Sequence, residues 1–146
     1  MEAMDENKIT ADILDAAVKL HRRFGPGMLE TIYEQLLEAE LVRRGHKVER
    51  QKNVSFEYDG LLLENAFRVD LLVDDLVVVE LKAAEQMKPV FSKQVKTYLV
   101  AMNLHIGVLI NFGMSTIKEG FVRIINGYPA TPSPYPPHPS RSSLSP

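Results

Sequence analysis

Glu80 and Lys82 stand two positions apart inside Leu76-Val77-Val78-Val79-Glu80-Leu81-Lys82-Ala83, a run that is otherwise apolar and β-branched. Alternation along a strand puts the two charged groups on the same face. Burying charge without compensation is costly, so a chain keeps such groups in a buried strand if they pair, bind a metal or do chemistry. Asp70, between Val69 and Leu71 on the preceding run, adds a second carboxylate. Two carboxylates brought together repel, which raises one pKa, and a divalent cation removes that penalty. Asp and Glu oxygens suit Mg²⁺ or Mn²⁺, which take one or two protein carboxylates and keep several waters. A lysine beside that cluster can orient a water and stabilise charge developing on a phosphate. The chemistry these types and spacings point to is a carboxylate-bound divalent ion activating a water. A half-exposed Glu80–Lys82 ion pair near a strand end uses the same residues, and the placement of Asp70 separates the two readings.

Strand parity makes that placement a test. If Asp74-Asp75 were a strict two-residue turn, Asp70 would oppose Val79, and the two carboxylates would point to opposite faces of the sheet. A three-residue loop over Asp74, Asp75 and Leu76, or an equivalent bulge, pairs Asp70 with Glu80 and Leu72 with Val78. The metal reading requires the odd connection.

The elements that must position these groups follow from periodicity. Ile9, Ile13, Ala16, Ala17, Leu20 and Phe24 recur at helical spacing over residues 7–24, and Gly25-Pro26-Gly27 stops the pattern. A second helix, about 27–44, carries Leu29, Ile32, Leu36, Leu37 and Leu41, with Gly45 at its C-terminal end. The period then changes to two: Val48, Val54, Phe56 and Tyr58 mark extended chain, Asp59-Gly60 a hairpin turn, and Leu61 to Leu63 its return. Stronger strands follow at 66–73 and 76–83. The second is apolar enough to be buried on both faces. Pro89 suits the first turn of a helix running to about 103. Strands at 105–111 and 121–125 complete the domain, with a polar loop between Gly113 and Gly120.

Composition bounds the class. The 146 residues fit one domain, and 45% apolar with 25% charged residues is ordinary for a globular protein with its own core. There is no cysteine, which excludes disulfides, thiolate metal sites and cysteine nucleophiles. No run approaches membrane-spanning length, and the acidic start is unlike a secretory signal, so a cytoplasmic protein is the default expectation. A net charge of −2 shows none of the basic excess of many nucleic-acid binders, although basic residues cluster at 43–52 and 88–96. The four histidines lack metal-ligand spacing. Seven of nine prolines lie from Pro129 onward. The organisation expected is a domain over 7–127 and a proline- and serine-rich tail over 128–146 of polyproline or disordered character.

Asp70, nine intervening residues, then Glu80-Leu81-Lys82 resembles the D…(D/E)-x-K signature of the PD-(D/E)-x-K nuclease superfamily. Gly27-Met28-Leu29-Glu30-Thr31-Ile32-Tyr33 is similar to the motif that names the GxxExxY family, a branch of that superfamily. Gln94-Val95-Lys96-Thr97-Tyr98 is similar to the Q-x-x-x-Y element on the helix after the catalytic strand of related nucleases. The order of motifs agrees over about residues 8–126. Val69 stands where the superfamily's name has proline.

The resemblance implies an α/β, restriction-endonuclease-like core, a central mixed sheet flanked by helices. It implies that Asp70 and Glu80 hold Mg²⁺ or Mn²⁺, with the Leu81 carbonyl as a third ligand and Glu30 as an outer ligand or acting through a water. Lys82 would handle the attacking water, and Gln94, Tyr98 and Tyr33 would position substrate. Glu30 is equally compatible with a dipole-favoured place in a first helical turn, and Tyr33 with a core aromatic. The function implied is a metal-dependent phosphodiesterase acting on DNA or RNA. A non-catalytic nucleic-acid- or protein-binding module, or a nuclease accessory subunit, stays open beside it. The small size favours a homodimer or a protein partner.

Overall fold

The computed structural model describes residues 5–127, and the expected tail lies outside them. Helix α1 (Glu6–Phe24) starts at Asp5, whose side chain accepts from the Asn7 N–H, and ends at Gly25 with φ 76°. Helix α2 (Glu30–Arg43) begins three residues later than its apolar stripe suggests. Gly27 to Leu29 are held in a turn instead: the Met28 N–H donates to the Tyr33 hydroxyl at 3.1 Å, and that hydroxyl donates to the Gly25 carbonyl.

Strands β1 (Val48–Tyr58) and β2 (Leu61–Val73) form one long antiparallel hairpin, so the two short runs expected at 61–63 and 66–73 are a single strand. Its outer end exposes Tyr58, Leu61 and Leu62. Strand β3 (Val77–Lys82) pairs antiparallel with β2, helix α3 (Pro89–Met102) crosses over, and β4 (Ile106–Asn111) lies parallel to β3. The polar loop expected between Gly113 and Gly120 contains a short helix, α4 (Ile117–Gly120). Thr116 and Glu119 close a capping box on it, a signature the sequence carries at that spacing. Strand β5 (Phe121–Ile125) completes a mixed five-stranded sheet in the order β1-β2-β3-β4-β5.

Two cores sandwich this sheet. Ile9, Ile13, Ala16 and Leu20 of α1 and Leu37 and Leu41 of α2 pack on Leu71, Val73, Val77, Val79 and Leu81. On the other face Val95 and Leu99 of α3 pack on Leu72, Val78 and Leu109. β3 is thus buried on both faces as its composition requires, and only Glu80 and Lys82 break the apolar pattern on the α3 side. Among the described residues no helix is long and apolar enough to cross a membrane.

Candidate functional site

The hairpin connection is the odd one. β2 ends at Val73, β3 begins at Val77, and Asp74 and Asp75 take left-handed backbone (φ 54° and 57°) in the three-residue loop. The ladder runs Val73↔Val77, Leu72↔Val78, Leu71↔Val79 and stops there. Its continuation sets Asp70 against Glu80, where the two strands part. In place of a β2 carbonyl, the Leu81 N–H finds the Asp70 Oδ2 at 2.9 Å. In extended chain a residue's N–H and C=O point to the same side, so the Leu81 carbonyl faces this same gap.

The gap is hostile to negative charge. Glu80 is 6% exposed, and its Oε1 is buried with no hydrogen-bond partner among the described residues. Burial first, and then the Asp70 carboxylate, push its pKa up to about 8. Asp70 is half-buried and raised to about 6, again by burial, with the charges of Glu34 and Glu30 adding to it and the Leu81 N–H opposing. Glu30, exposed in the first turn of α2, therefore reaches the site through its charge. Lys82 is half-buried: its Nζ donates to the Gln94 Oε1 at 3.2 Å and lies 5.0 Å from the centre of the Phe91 ring. Tyr98, one turn after Gln94, stacks on Phe67 with ring centres 4.3 Å apart. Burial and then the Glu80 charge raise its phenol above the usual range.

Tyr33 corrects the expectation that it positions substrate. It is fully buried, its ring stacks on Phe112 at 4.3 Å, and its hydroxyl holds the Gly25–Met28 turn. It orders the chain that leads into Glu30.

Three contributors carry no clear mark in the sequence. Asn111, fully buried at the end of β4, accepts from the Ala84 and Gly113 N–H groups at 2.9 and 3.0 Å and donates to the Gln86 carbonyl. It pins the segment after Lys82. Glu34, 2% exposed, and Gln51 of β1 adjoin Asp70 from the α2 side. Glu34 lies one helical turn after Glu30, the only sign of it in the sequence.

The Asp70 and Glu80 carboxylates, the latter with one oxygen unpartnered among the described residues, and the Leu81 carbonyl make a donor set of hard oxygens. That set fits Mg²⁺ or Mn²⁺, ions that bind through one or two carboxylates and retain waters. It is not a complete cage, and among the described residues no three His, Cys, Asp or Glu side chains form one.

A mixed sheet between helical layers, with an acid pair and a lysine where its central hairpin opens, is the restriction-endonuclease-like architecture. The chain belongs to the PD-(D/E)XK nuclease superfamily, whose family profile matches residues 7–124. Among solved structures, one titled "Crystal structure of SSO0001" is similar at 16% identity and a TM-score of 0.38, covering 80% of this chain and 67% of that one. No curated protein matches.

Proposed function

We propose that this chain hydrolyses phosphodiester bonds of DNA or RNA at a Mg²⁺ or Mn²⁺ held by Asp70, Glu80 and the Leu81 carbonyl, with Glu30 as an outer contact. The observation that carries this reading is the Glu80 carboxylate, buried with one oxygen unpartnered among the described residues and raised in pKa by the nearby Asp70 charge as well as by burial. A structural ion pair would leave neither group in that state. A divalent cation bound there would neutralise the acid pair and acidify a coordinated water. Lys82 supplies positive charge on the same strand face, where it orients the nucleophilic water and stabilises charge developing on phosphate. Gln94 fixes the lysine head and the Phe91 ring lies against it, limiting where the ammonium can go. Tyr98 backs the site from α3, stacked on Phe67, and would meet substrate there.

Gly27, Glu30 and Tyr33 support assignment to the GxxExxY branch, with Tyr33 shaping the turn. The apolar hairpin tip at Tyr58, Leu61 and Leu62 supports contact with a second copy or a protein partner. The test is a panel of single- and double-stranded DNA and RNA with Mg²⁺ or Mn²⁺. Wild type cleaves, and folded Lys82→Ala and Glu80→Ala variants do not. Absence of cleavage across the panel would sink the enzyme reading and favour the non-catalytic module.

A further inference from the structure

Gln51 is the one described residue with left-handed backbone, φ 56°, that is neither glycine, asparagine nor aspartate. For a residue with an ordinary side chain that conformation costs roughly 1–2 kcal/mol. It occurs within strand β1, not in a turn. The pairs on either side, Arg50↔Leu71 and Lys52↔Val69, keep one register, so no residue has been inserted; the pair left out is Gln51 and Asp70. β2 is disturbed at the same point. Val69 packs in the α3-side core, Leu71 in the α1–α2 core and Leu72 again on the α3 side. The period-two alternation of a strand thus skips at Asp70.

The Gln51 side chain has defined partners. Its Nε2 donates to the Glu34 Oε2 at 2.6 Å and reaches the Asp70 Oδ1 at 3.5 Å. Glu34 is buried, and its other oxygen accepts from Arg50 at 3.2 Å; Arg50 also binds Glu38 at 3.1 Å. One oxygen of Asp70 is thereby held by the Leu81 N–H and the other approached by an amide anchored on α2. Glycine would adopt the same backbone without the steric cost. What glutamine adds is its amide.

We propose that Gln51 is a positioning residue for Asp70: anchored on Glu34, its amide sets the rotation of the Asp70 carboxylate, so that the free lone pairs face Glu80 and the Leu81 carbonyl. This rests on the reading of Asp70 and Glu80 as metal ligands. Local kinks of this kind re-aim side chains beside active sites, and partners that orient a metal ligand are worth about 10–100-fold in metal affinity.

Gln51→Gly separates positioning from folding, because it removes the amide while suiting the backbone. Two readouts on the full chain decide: hydrogen exchange at the Leu81 N–H in metal-free protein, and Mn²⁺ affinity by calorimetry. The expected result is a melting temperature close to wild type, the relieved backbone strain offsetting the hydrogen bond lost at buried Glu34, with Mn²⁺ binding weakened about tenfold or more. Exchange at Leu81 becomes faster while protection at Val78 and Leu109 is unchanged. Glu34→Gln, which weakens the anchor, moves both readouts the same way, and combining it with Gln51→Gly adds little, as expected of groups acting in series. Glu38→Gln, which touches Arg50 but not Gln51, leaves both unchanged. A folded Gln51→Gly variant with Leu81 exchange and Mn²⁺ affinity within about twofold of wild type overturns the proposal. If wild type itself binds no Mn²⁺, the metal reading fails, and Leu81 exchange alone decides the role of Gln51.

Discussion

Removing the charge of Glu80 should stabilise the metal-free protein while abolishing its response to metal. The carboxyl moves from 4.5 to about 8 on folding, chiefly because it is buried. At pH 7 the unfolded chain has released this proton and the folded chain retains it. The interval of roughly 2.5 pH units between 4.5 and 7, at about 1.36 kcal/mol per unit, gives a penalty of about 3 kcal/mol. A raised acid pKa contributes stability that is fully present below the unfolded value and is lost as pH rises through the folded one, so the loss runs from about pH 4.5 to about pH 8. Asp70, raised to about 6, adds a loss of the same sign over a lower range. His46, also raised, contributes in the same direction above pH 6.5. The difference between variant and wild type therefore removes the His46 contribution and reports Glu80 together with its repulsion from Asp70. Glu80→Gln keeps the shape and a polar head without the ionisation, and recovers about 1–3 kcal/mol at pH 7, a melting temperature higher by about 5–10 °C. Thermal melts followed by circular dichroism at pH 5, 7 and 8, in chelator or in Mn²⁺, read this directly. Wild type should melt progressively lower from pH 5 to 8 in chelator and be rescued by Mn²⁺, with Glu80→Gln flatter, higher and indifferent to the ion. A variant that melts below wild type at pH 8 in chelator would refute the reasoning.

Two further substitutions probe the frame. His46 bridges Asp12 at 2.7 Å and Asp74 at 2.6 Å through its two ring nitrogens, tying α1 to the β2–β3 loop. Burial works against its charge, but these carboxylates outweigh it and raise the pKa, so His46→Gln, which leaves two acids facing each other, should cost about 3–5 kcal/mol; urea unfolding at pH 6 measures it, and a loss that grows on moving to pH 9 would contradict the sign. Tyr33→Phe removes only the hydroxyl that holds the Gly25–Met28 turn, and should cost about 1–2 kcal/mol in thermal melts with Mn²⁺ affinity unchanged.

Much of the fold was legible because its signals are local. The apolar period of α1, the β-branched run of β3 and Pro89 at the start of α3 each identify an element without knowledge of its neighbours. The parity argument on Asp74 to Leu76 reached further, since a strand's side-chain period makes the register of Asp70 and Glu80 a question of loop length. Boundaries failed where a side chain took over a backbone role: the start of α2 is displaced by a hydroxyl from within that helix reaching back to Gly25. Tyr33 looked functional in a motif, and only burial shows what its hydroxyl does. Gln51, Glu34 and Asn111 were not legible, because each owes its place to contacts across elements. A polar residue in a strand, an acid on a helix and an amide at a strand end are unremarkable until the chain has folded around them.

The central claim is that Asp70 and Glu80 together hold a divalent ion, and calorimetric titration of Mn²⁺ into wild type and Asp70→Asn tests it most directly. The account predicts binding to wild type with a Kd of about 1 mM or tighter, equivalent to about 4 kcal/mol, and no detectable binding to a folded Asp70→Asn variant. Wild type that takes up no Mn²⁺, or an Asp70→Asn variant that binds it equally well, would contradict it.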